Sequence, residues 1–343
     1  MVRRMRGCIL TWCLTLVLCT LIAVPAGAAA IGTIVYTSSR NGDMDIYAIN
    51  TDGSHEIDLT NNPAHDFAAA LSPDKTKIAF ATFRDDPAAQ HDEIYVMDYP
   101  GGGNPTRLTT NDARDYAPVW SPDGTKIAFT SQRDGFHDWI YVMDYPGGGN
   151  PTLLSHTSSV ESLPAWSPTG DKIAFRSSRA GMEEIYVVDY PGGGNPTRLT
   201  FDQALVGQPV WSPDGTKIAF GSVRDDPTGR IYTVNYPPDG ADPVQLTNDQ
   251  AWYPFWSQDG THIALISNRD DPAGEMYVMD YPGGGNLQRV THNQFWDAEP
   301  GGFLMTGIDH PSIPEFPSAV IPISTIVGFC CIVLFIATRS RLK

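Results

Sequence analysis

Short apolar runs alternate along most of the chain with clusters of Pro, Gly, Asn and Asp. Lys126-Ile127-Ala128-Phe129 and Ile140-Tyr141-Val142-Met143-Asp144 are typical runs, bounded by Pro-Asp-Gly or Pro-Gly-Gly-Gly turns. β-Branched and aromatic residues in runs this short, closed off by turn formers, are strand and hairpin signals. No helical period appears between the two ends of the chain.

The runs repeat. Trp120-Ser121-Pro122-Asp123-Gly124-Thr125-Lys126-Ile127-Ala128-Phe129 recurs almost verbatim from Trp211 to Phe220, with weaker copies from Leu71, Trp166 and Trp256. The Ser of each copy falls at 72, 121, 167, 212 and 257, in steps of 49, 46, 45 and 45 residues. A second element, Ile94-Tyr95-Val96-Met97-Asp98, recurs at Ile140, Ile185, Ile231 and Met276, with a further copy at Ile46 that precedes the first Ser-Pro turn. Each unit reads as four strands: one ending at Trp-Ser, then Lys-Ile-Ala-Phe, then Ile-Tyr-Val-Met-Asp, then a short Arg-Leu-Thr. Four strands in about 45 residues is the spacing of a propeller blade.

The second element outnumbers the first by one copy, which has a physical explanation. The repeats begin at Gly32-Thr33-Ile34-Val35-Tyr36, a second strand without its first. Asp297 to Met305 resembles the missing strand, with Pro300 two residues before the Trp position. The expected fold is therefore all-β: a six-bladed β-propeller of four-stranded blades, closed by a C-terminal strand that joins the N-terminal three. Closure removes the exposed edges an open solenoid would leave.

The ends read differently. Arg3, Arg4 and Arg6, an apolar run from Cys8 to Val24 and the small-residue stretch Pro25-Ala26-Gly27-Ala28 predict a signal peptide over residues 1–28. The propeller is expected over 29–310 and a Pro-rich spacer over 311–319. A transmembrane helix follows over 320–338, 19 residues without a charge, and a basic tail over 339–343 that stays cytoplasmic. The five cysteines, Cys8, Cys13, Cys19, Cys330 and Cys331, all fall in these terminal segments, so the propeller is expected to be exported yet free of disulfides. Lys plus Arg number 23 against 39 Asp plus Glu, a net charge of −16, which sets nucleic-acid binding aside.

The order Trp-Ser-Pro-Asp-Gly, Lys-Ile-Ala-Phe, Arg-Asp-Gly, Ile-Tyr-Val-Met-Asp resembles the propeller repeats of the TolB family across about residues 31–306. That family's periplasmic partner-binding protein has an additional N-terminal domain. The stretch before the first repeat leaves no room for it, so the resemblance is expected to cover the propeller alone. Pro314-Glu315-Phe316-Pro317, followed by the apolar segment and the Arg/Lys end, resembles an archaeal PEF-CTERM sorting signal. That resemblance implies an archaeal surface protein processed by an archaeosortase.

In such a blade the loops between strands four and one, and between strands two and three, surround one mouth of the central channel. Five places before the Trp position lie Asp297, Asp66, Asp115, Glu161, Val206 and Ala251, in ring order. One place later come Ala298, Phe67, Tyr116, Ser162, Gly207 and Trp252, with Tyr253 next. The spacing predicts a divided mouth, with carboxylates of Asp297, Asp66, Asp115 and Glu161 facing an apolar arc that includes Trp252 and Tyr253. Phe67 and Tyr116 complete the expected ligand-contacting set. Converging carboxylates focus the field on cations, and Trp and Tyr are favoured contact residues. The same acids could equally be solvated loop charges that keep an exported protein soluble.

Other chemistry is thinner. His65 beside Asp66 and His292 before Asp297 are weak metal candidates, with neither H-E-x-x-H nor close Cys/His spacing. Arg40, Arg84, Arg133, Arg179, Arg224 and Arg269 recur in every blade, which argues for a structural role such as pairing with a repeat carboxylate. The Ser-Pro motifs recur too and read as turns rather than nucleophiles. No cofactor is expected. The reading is a non-enzymatic, membrane-anchored surface propeller that docks a protein partner or an envelope glycan, cationic in part. One alternative is a hydrolase or lyase of an envelope polymer or peptide using the rim carboxylates. The other is a structural envelope component with no defined ligand.

Overall fold

The computed structural model describes residues 32–305, apart from 86–90, 136, 150, 155–156 and 203. The segments read as leader, spacer, membrane span and basic tail lie outside the described residues. Among the described residues no helix is long and apolar enough to cross a membrane.

Among the described residues, twenty-four strands form six four-stranded antiparallel sheets. The first blade holds β1 (Gly32–Ser38), β2 (Asp45–Asn50) and β3 (Ile57–Asp58). The second holds β4 (Asp66–Leu71), β5 (Lys77–Thr82), β6 (Glu93–Asp98) and β7 (Thr106–Arg107). The third holds β8 (Asp115–Trp120), β9 (Lys126–Ser131), β10 (Trp139–Asp144) and β11 (Thr152–Leu153). The fourth holds β12 (Glu161–Trp166), β13 (Lys172–Ala180), β14 (Met182–Asp189) and β15 (Thr197–Arg198). The fifth holds β16 (Val210–Trp211), β17 (Lys217–Ser222), β18 (Arg230–Asn235) and β19 (Val244–Gln245). The sixth holds β20 (Ala251–Trp256), β21 (His262–Ser267), β22 (Glu275–Asp280) and β23 (Gln288–Arg289). The last strand, β24 (Asp297–Met305), returns to the first blade as its innermost strand and gives the sheet order β24-β1-β2-β3.

That closing strand lies where the repeat count requires it. It pairs antiparallel with β1 through Thr33 with Leu304, Ile34 with Phe303 and Val35 with Gly302, slips at a bulge, and resumes at Ser38 with Asp297. The fold is the all-β, six-bladed propeller expected from the repeats.

The second and third strands of each blade are buried on both faces. This explains why they read as continuous apolar runs rather than as an apolar–polar alternation. Successive residues face opposite neighbours. In blade one, Val35, Ile46 and Ala48 pack with Ile78, Phe80 and Met97 of blade two, while Ile34, Tyr36 and Ile49 pack with Ala264, Met276 and Val278 of blade six. The core is thus six inter-blade layers.

The repeated turns serve the same packing. The indole N–H groups of Trp120, Trp211 and Trp256 donate to carbonyls of Ala70, Ala165 and Val210, each on the preceding blade's inner strand, at 3.0–3.2 Å. The middle glycine of each Tyr-Pro-Gly-Gly-Gly turn sits at positive φ against the preceding blade. A Cβ on Gly102 would meet the Leu59 carbonyl oxygen at 2.2 Å.

The carboxylates expected at the mouth are part of this framework. Asp66, Asp115, Glu161 and Asp297 are each 0% exposed. Each begins an inner strand and lies across from a hydroxyl residue of the second strand: Thr82, Ser131, Ser177 and Ser38. The arginine two residues after that hydroxyl turns back onto the acid. Arg84 pairs with Asp66 at 2.9 Å, Arg133 with Asp115 at 2.8 Å, Arg40 with Asp297 at 3.5 Å, and Arg179 with Glu161. The guanidinium carbons of Arg84 and Arg133 also lie 4.8–5.1 Å from the aromatic rings of their blades, a distance suited to cation–π attraction. Asn111 and Asn293, four residues upstream of Asp115 and Asp297, add amide donors. Burial pushes the carboxyls of Asp66 and Asp297 up, and the surrounding donors and arginines offset this. Where the inner acid is replaced by Val206 or Ala251, the arginine turns to loop acids: Arg224 to Asp202 at 3.0 Å and Arg269 to Asp249 at 3.5 Å.

Two stability predictions follow from this packing. A Cβ on Gly301 of the closing strand would lie 1.7 Å from the Ala69 carbonyl oxygen, whereas one on Gly147 would meet nothing within 4 Å. Gly301→Ala is expected to lower the melting temperature by several degrees, about 1–3 kcal/mol of overpacking, and Gly147→Ala to leave it nearly unchanged. Asp115→Ala strands a buried guanidinium and is expected to cost about 3–5 kcal/mol in urea unfolding. Arg269→Gln breaks only exposed pairs and is expected to cost less than about 1 kcal/mol.

Candidate functional site

The inner strands β4, β8, β12, β16, β20 and β24 surround the central channel, which opens between the loops joining successive blades. A cavity of about 320 Å³ runs along this channel, lined from all six blades, from Phe67, Tyr116 and Tyr253 toward that end to Pro73, Pro122 and Pro168 in the turns between first and second strands at the other. In five inner strands the backbone bulges two residues after the first register position. Ala68, Ala117, Leu163, Tyr253 and Glu299 take positive φ of 48–57° there, an uncommon conformation for residues other than glycine. The bulges coincide with register slips against the second strands. With Gln208 of blade five, these residues form a ring around the cavity.

The aromatic half of the expected site is found in part. Phe67, Tyr116 and Tyr253 line the cavity. Phe67 packs on Phe83 with ring centroids 5.7 Å apart. The Tyr116 hydroxyl bonds to Asp138, and burial followed by the Asp138 charge holds that hydroxyl well above the usual phenol range. The Arg114 guanidinium lies 5.1 Å from the Tyr116 ring centre and pairs with Asp92 at 2.9 Å. Burial raises the Tyr253 hydroxyl, and the charge of Glu299 raises it further.

Trp252 is placed elsewhere. Its indole lies over Gly221 and Gly229 of blade five, where any Cβ would collide with it, and its Nε1–H donates to the Thr228 carbonyl at 2.9 Å. It wedges blades five and six together and does not line the cavity. His65 accepts the Met44 amide N–H on Nδ1 at 3.0 Å, and His292 is exposed. Among the described residues no group of three or more His, Cys, Asp or Glu is arranged to hold a metal ion.

One cavity residue was missed in the register chosen from the sequence. Glu299 is the only carboxylate of the lining, which contains no Lys, Arg or His. Its Oε2 accepts the Ala68 amide N–H at 3.0 Å. Burial pushes its carboxyl up, and only that backbone hydrogen bond pulls it back. The signal was one line lower in the same alignment. Two residues after Asp66, Asp115, Glu161, Val206, Ala251 and Asp297, five blades offer Ala, Ala, Leu, Gln and Tyr, and the sixth offers Glu.

A cavity walled by alanine, valine, proline and aromatic side chains, with one carboxylate, can hold an apolar segment and bind a proton or a cation. The four framework acids lack that freedom because each is already paired.

Comparisons with known proteins agree with the architecture. Structures similar to this chain include a protein assigned as TolB from Agrobacterium tumefaciens, at 22% identity, TM-score 0.60, covering 80% of this chain and 91% of that one. TolB from Acinetobacter baumannii gives 21% identity and TM-score 0.62 over 80% of this chain and 65% of that one. Hydrazine synthase of Kuenenia stuttgartiensis is similar at 16% identity and TM-score 0.63, over 80% of this chain and 46% of that one. At these identities the likeness is one of fold. A comparison with curated proteins found no match. The TolB beta propeller domain, PD40, matches over residues 33–160 and again over 149–301, the span in which the six blades lie. The chain therefore belongs to the PD40 family of TolB-type β-propellers.

Proposed function

We propose that the protein is a non-enzymatic binding module that docks a protein partner at the channel mouth, displayed outside the cytoplasm. The observation that carries this is the distribution of exposed apolar side chains. Among the described residues, six large hydrophobic side chains are exposed: Met182, Phe201, Leu205, Val244, Phe295 and Trp296. Five of them stand on loops of one face. Met182 is at the turn between β13 and β14, Phe201 and Leu205 are between β15 and β16, and Phe295 and Trp296 are between β23 and β24. Those connections join strands two to three or four to one, so they stand on the same face as the first residues of the inner strands. Exposed apolar groups concentrated on one face mark an interaction surface.

The chemistry favours a protein over a glycan. Carbohydrate recognition needs many polar groups converging on hydroxyls, whereas this cavity is walled mainly by aliphatic and aromatic carbon. A hydrolase or lyase using the rim carboxylates draws no support from Asp66, Asp115, Glu161 or Asp297, whose arginine partners leave them no open face. Export through a leader over 1–28, anchoring through 320–338 and archaeosortase processing near Glu315 belong to the same proposal and rest on the sequence alone.

The test is capture from an envelope extract by the full chain, a Phe201→Ser/Trp296→Ser variant and a Val244→Ser variant. A partner held by the wild type and by Val244→Ser, with affinity reduced about 30-fold or more by the double change, is expected if the aromatics act as hot spots. Equal capture by all three proteins would overturn the assignment of the face. Capture of a glycan alone would overturn the class of partner.

A further inference from the structure

We infer that Glu299 is a cation anchor within the channel, receiving one alkylammonium group of the lysine side-chain type carried by an apolar segment that enters at the mouth. This rests on the reading of the mouth as the docking face and specifies the chemistry of what enters it.

The argument starts from asymmetry. A function performed once in a ring of repeats needs a residue the repeat does not share. At the bulge position the six blades supply Ala68, Ala117, Leu163, Gln208, Tyr253 and Glu299. Only one of these carries a carboxyl group. The left-handed backbone at Glu299, φ 48°, belongs to the bulge that places this ring in the channel wall.

The surroundings set the sign and shape of the ligand. Four other acids on the inner strands each have an arginine, but among the described residues Glu299 has no ion pair, only the Ala68 N–H. Arg176 is a cation whose charge is felt at Tyr253 and Tyr116. Its guanidinium is held by Glu183 at 3.3 Å and by the Ser162 hydroxyl at 3.2 Å. A desolvated carboxylate without a partner favours an incoming cation. A guanidinium prefers both oxygens in a bidentate fork, and here Oε2 is already engaged by the backbone. An ammonium is a point charge that can use the remaining lone pairs, and its aliphatic stem matches the walls.

Burial has tilted Glu299 toward its protonated form, so ammonium binding should release a proton. The groups around it are the Tyr253 hydroxyl on β20, which feels its charge, the Ala68 backbone on β4, which donates to it, and the neutral Gln208 in the loop before β16, which shares the cavity lining. None of these titrates in the acid range, so ammonium affinity should fall as pH drops through the raised Glu299 value.

The experiment titrates the full chain and its Glu299→Gln variant with n-pentylammonium chloride and with 1-pentanol, followed by NMR and calorimetry. The wild type is expected to prefer the ammonium by about tenfold or more, and the variant to lose that preference while keeping its pentanol affinity. Because the raised carboxyl value means stability is lost as pH rises through it, Glu299→Gln is also expected to melt higher than the wild type at pH 7. That difference should close toward acid pH, which shows the variant is folded. Equal affinity for both probes, ammonium binding that survives Glu299→Gln, or binding of neither probe would overturn the inference. The docking face is tested separately. A partner captured equally by wild type and Glu299→Gln keeps the docking reading and removes the anchor. Ammonium binding that persists when the Phe201/Trp296 face makes no difference to capture keeps the anchor and removes the docking reading.

Discussion

Everything in this molecule depends on the pairing of β24 with β1. Six sheets stacked by their apolar faces make an arc, and an arc has two unpaired edges. Drawing the C-terminal strand into the N-terminal sheet converts the arc into a ring, so each inter-blade core has a neighbour on either side. The pairing also creates the channel, because only a closed ring brings six inner strands around one axis. Glu299 sits on that closing strand, so the residue that distinguishes the channel belongs to the element that completes it.

The arginine–carboxylate pairs show how a repeat protein uses charge inside a framework. A buried ion pair is weak evidence of stabilisation in itself, because removing two charges from water costs about as much as their attraction returns. Here each guanidinium is also held by a Ser or Thr hydroxyl of its own blade, as with Arg133 on Ser131 at 2.9 Å. The geometry fixes the direction in which the chain leaves the second strand. Blades five and six lack the inner acid, and their arginines face loop carboxylates instead.

Those two blades also give the mouth its asymmetry. The loss of a side chain at Gly207, Gly221 and Gly229 makes the shelf on which Trp252 lies. With Trp252 committed to that contact, the channel wall is left to the smaller set of Phe67, Tyr116, Tyr253 and Glu299. The aromatic positions thus divide between holding blades together and presenting a surface, and identical residue types serve both purposes.

The sequence alone determined the architecture: the number of blades, their four strands, and the fact that Asp297 to Met305 must complete a sheet begun at Gly32. Repetition carries that information locally, since each turn and apolar run states its own conformation and the count states the closure. It also showed that the recurrent arginines are structural. What it left open was which register of the inner strand faces the channel. A bulge after the first residue of the strand changes which side chains point inward, and a bulge comes from register against the second strand, which no single segment encodes. Asp115 and Glu299 look alike as rim acids in the sequence. Tertiary structure alone gave one of them an arginine and left the other facing the cavity.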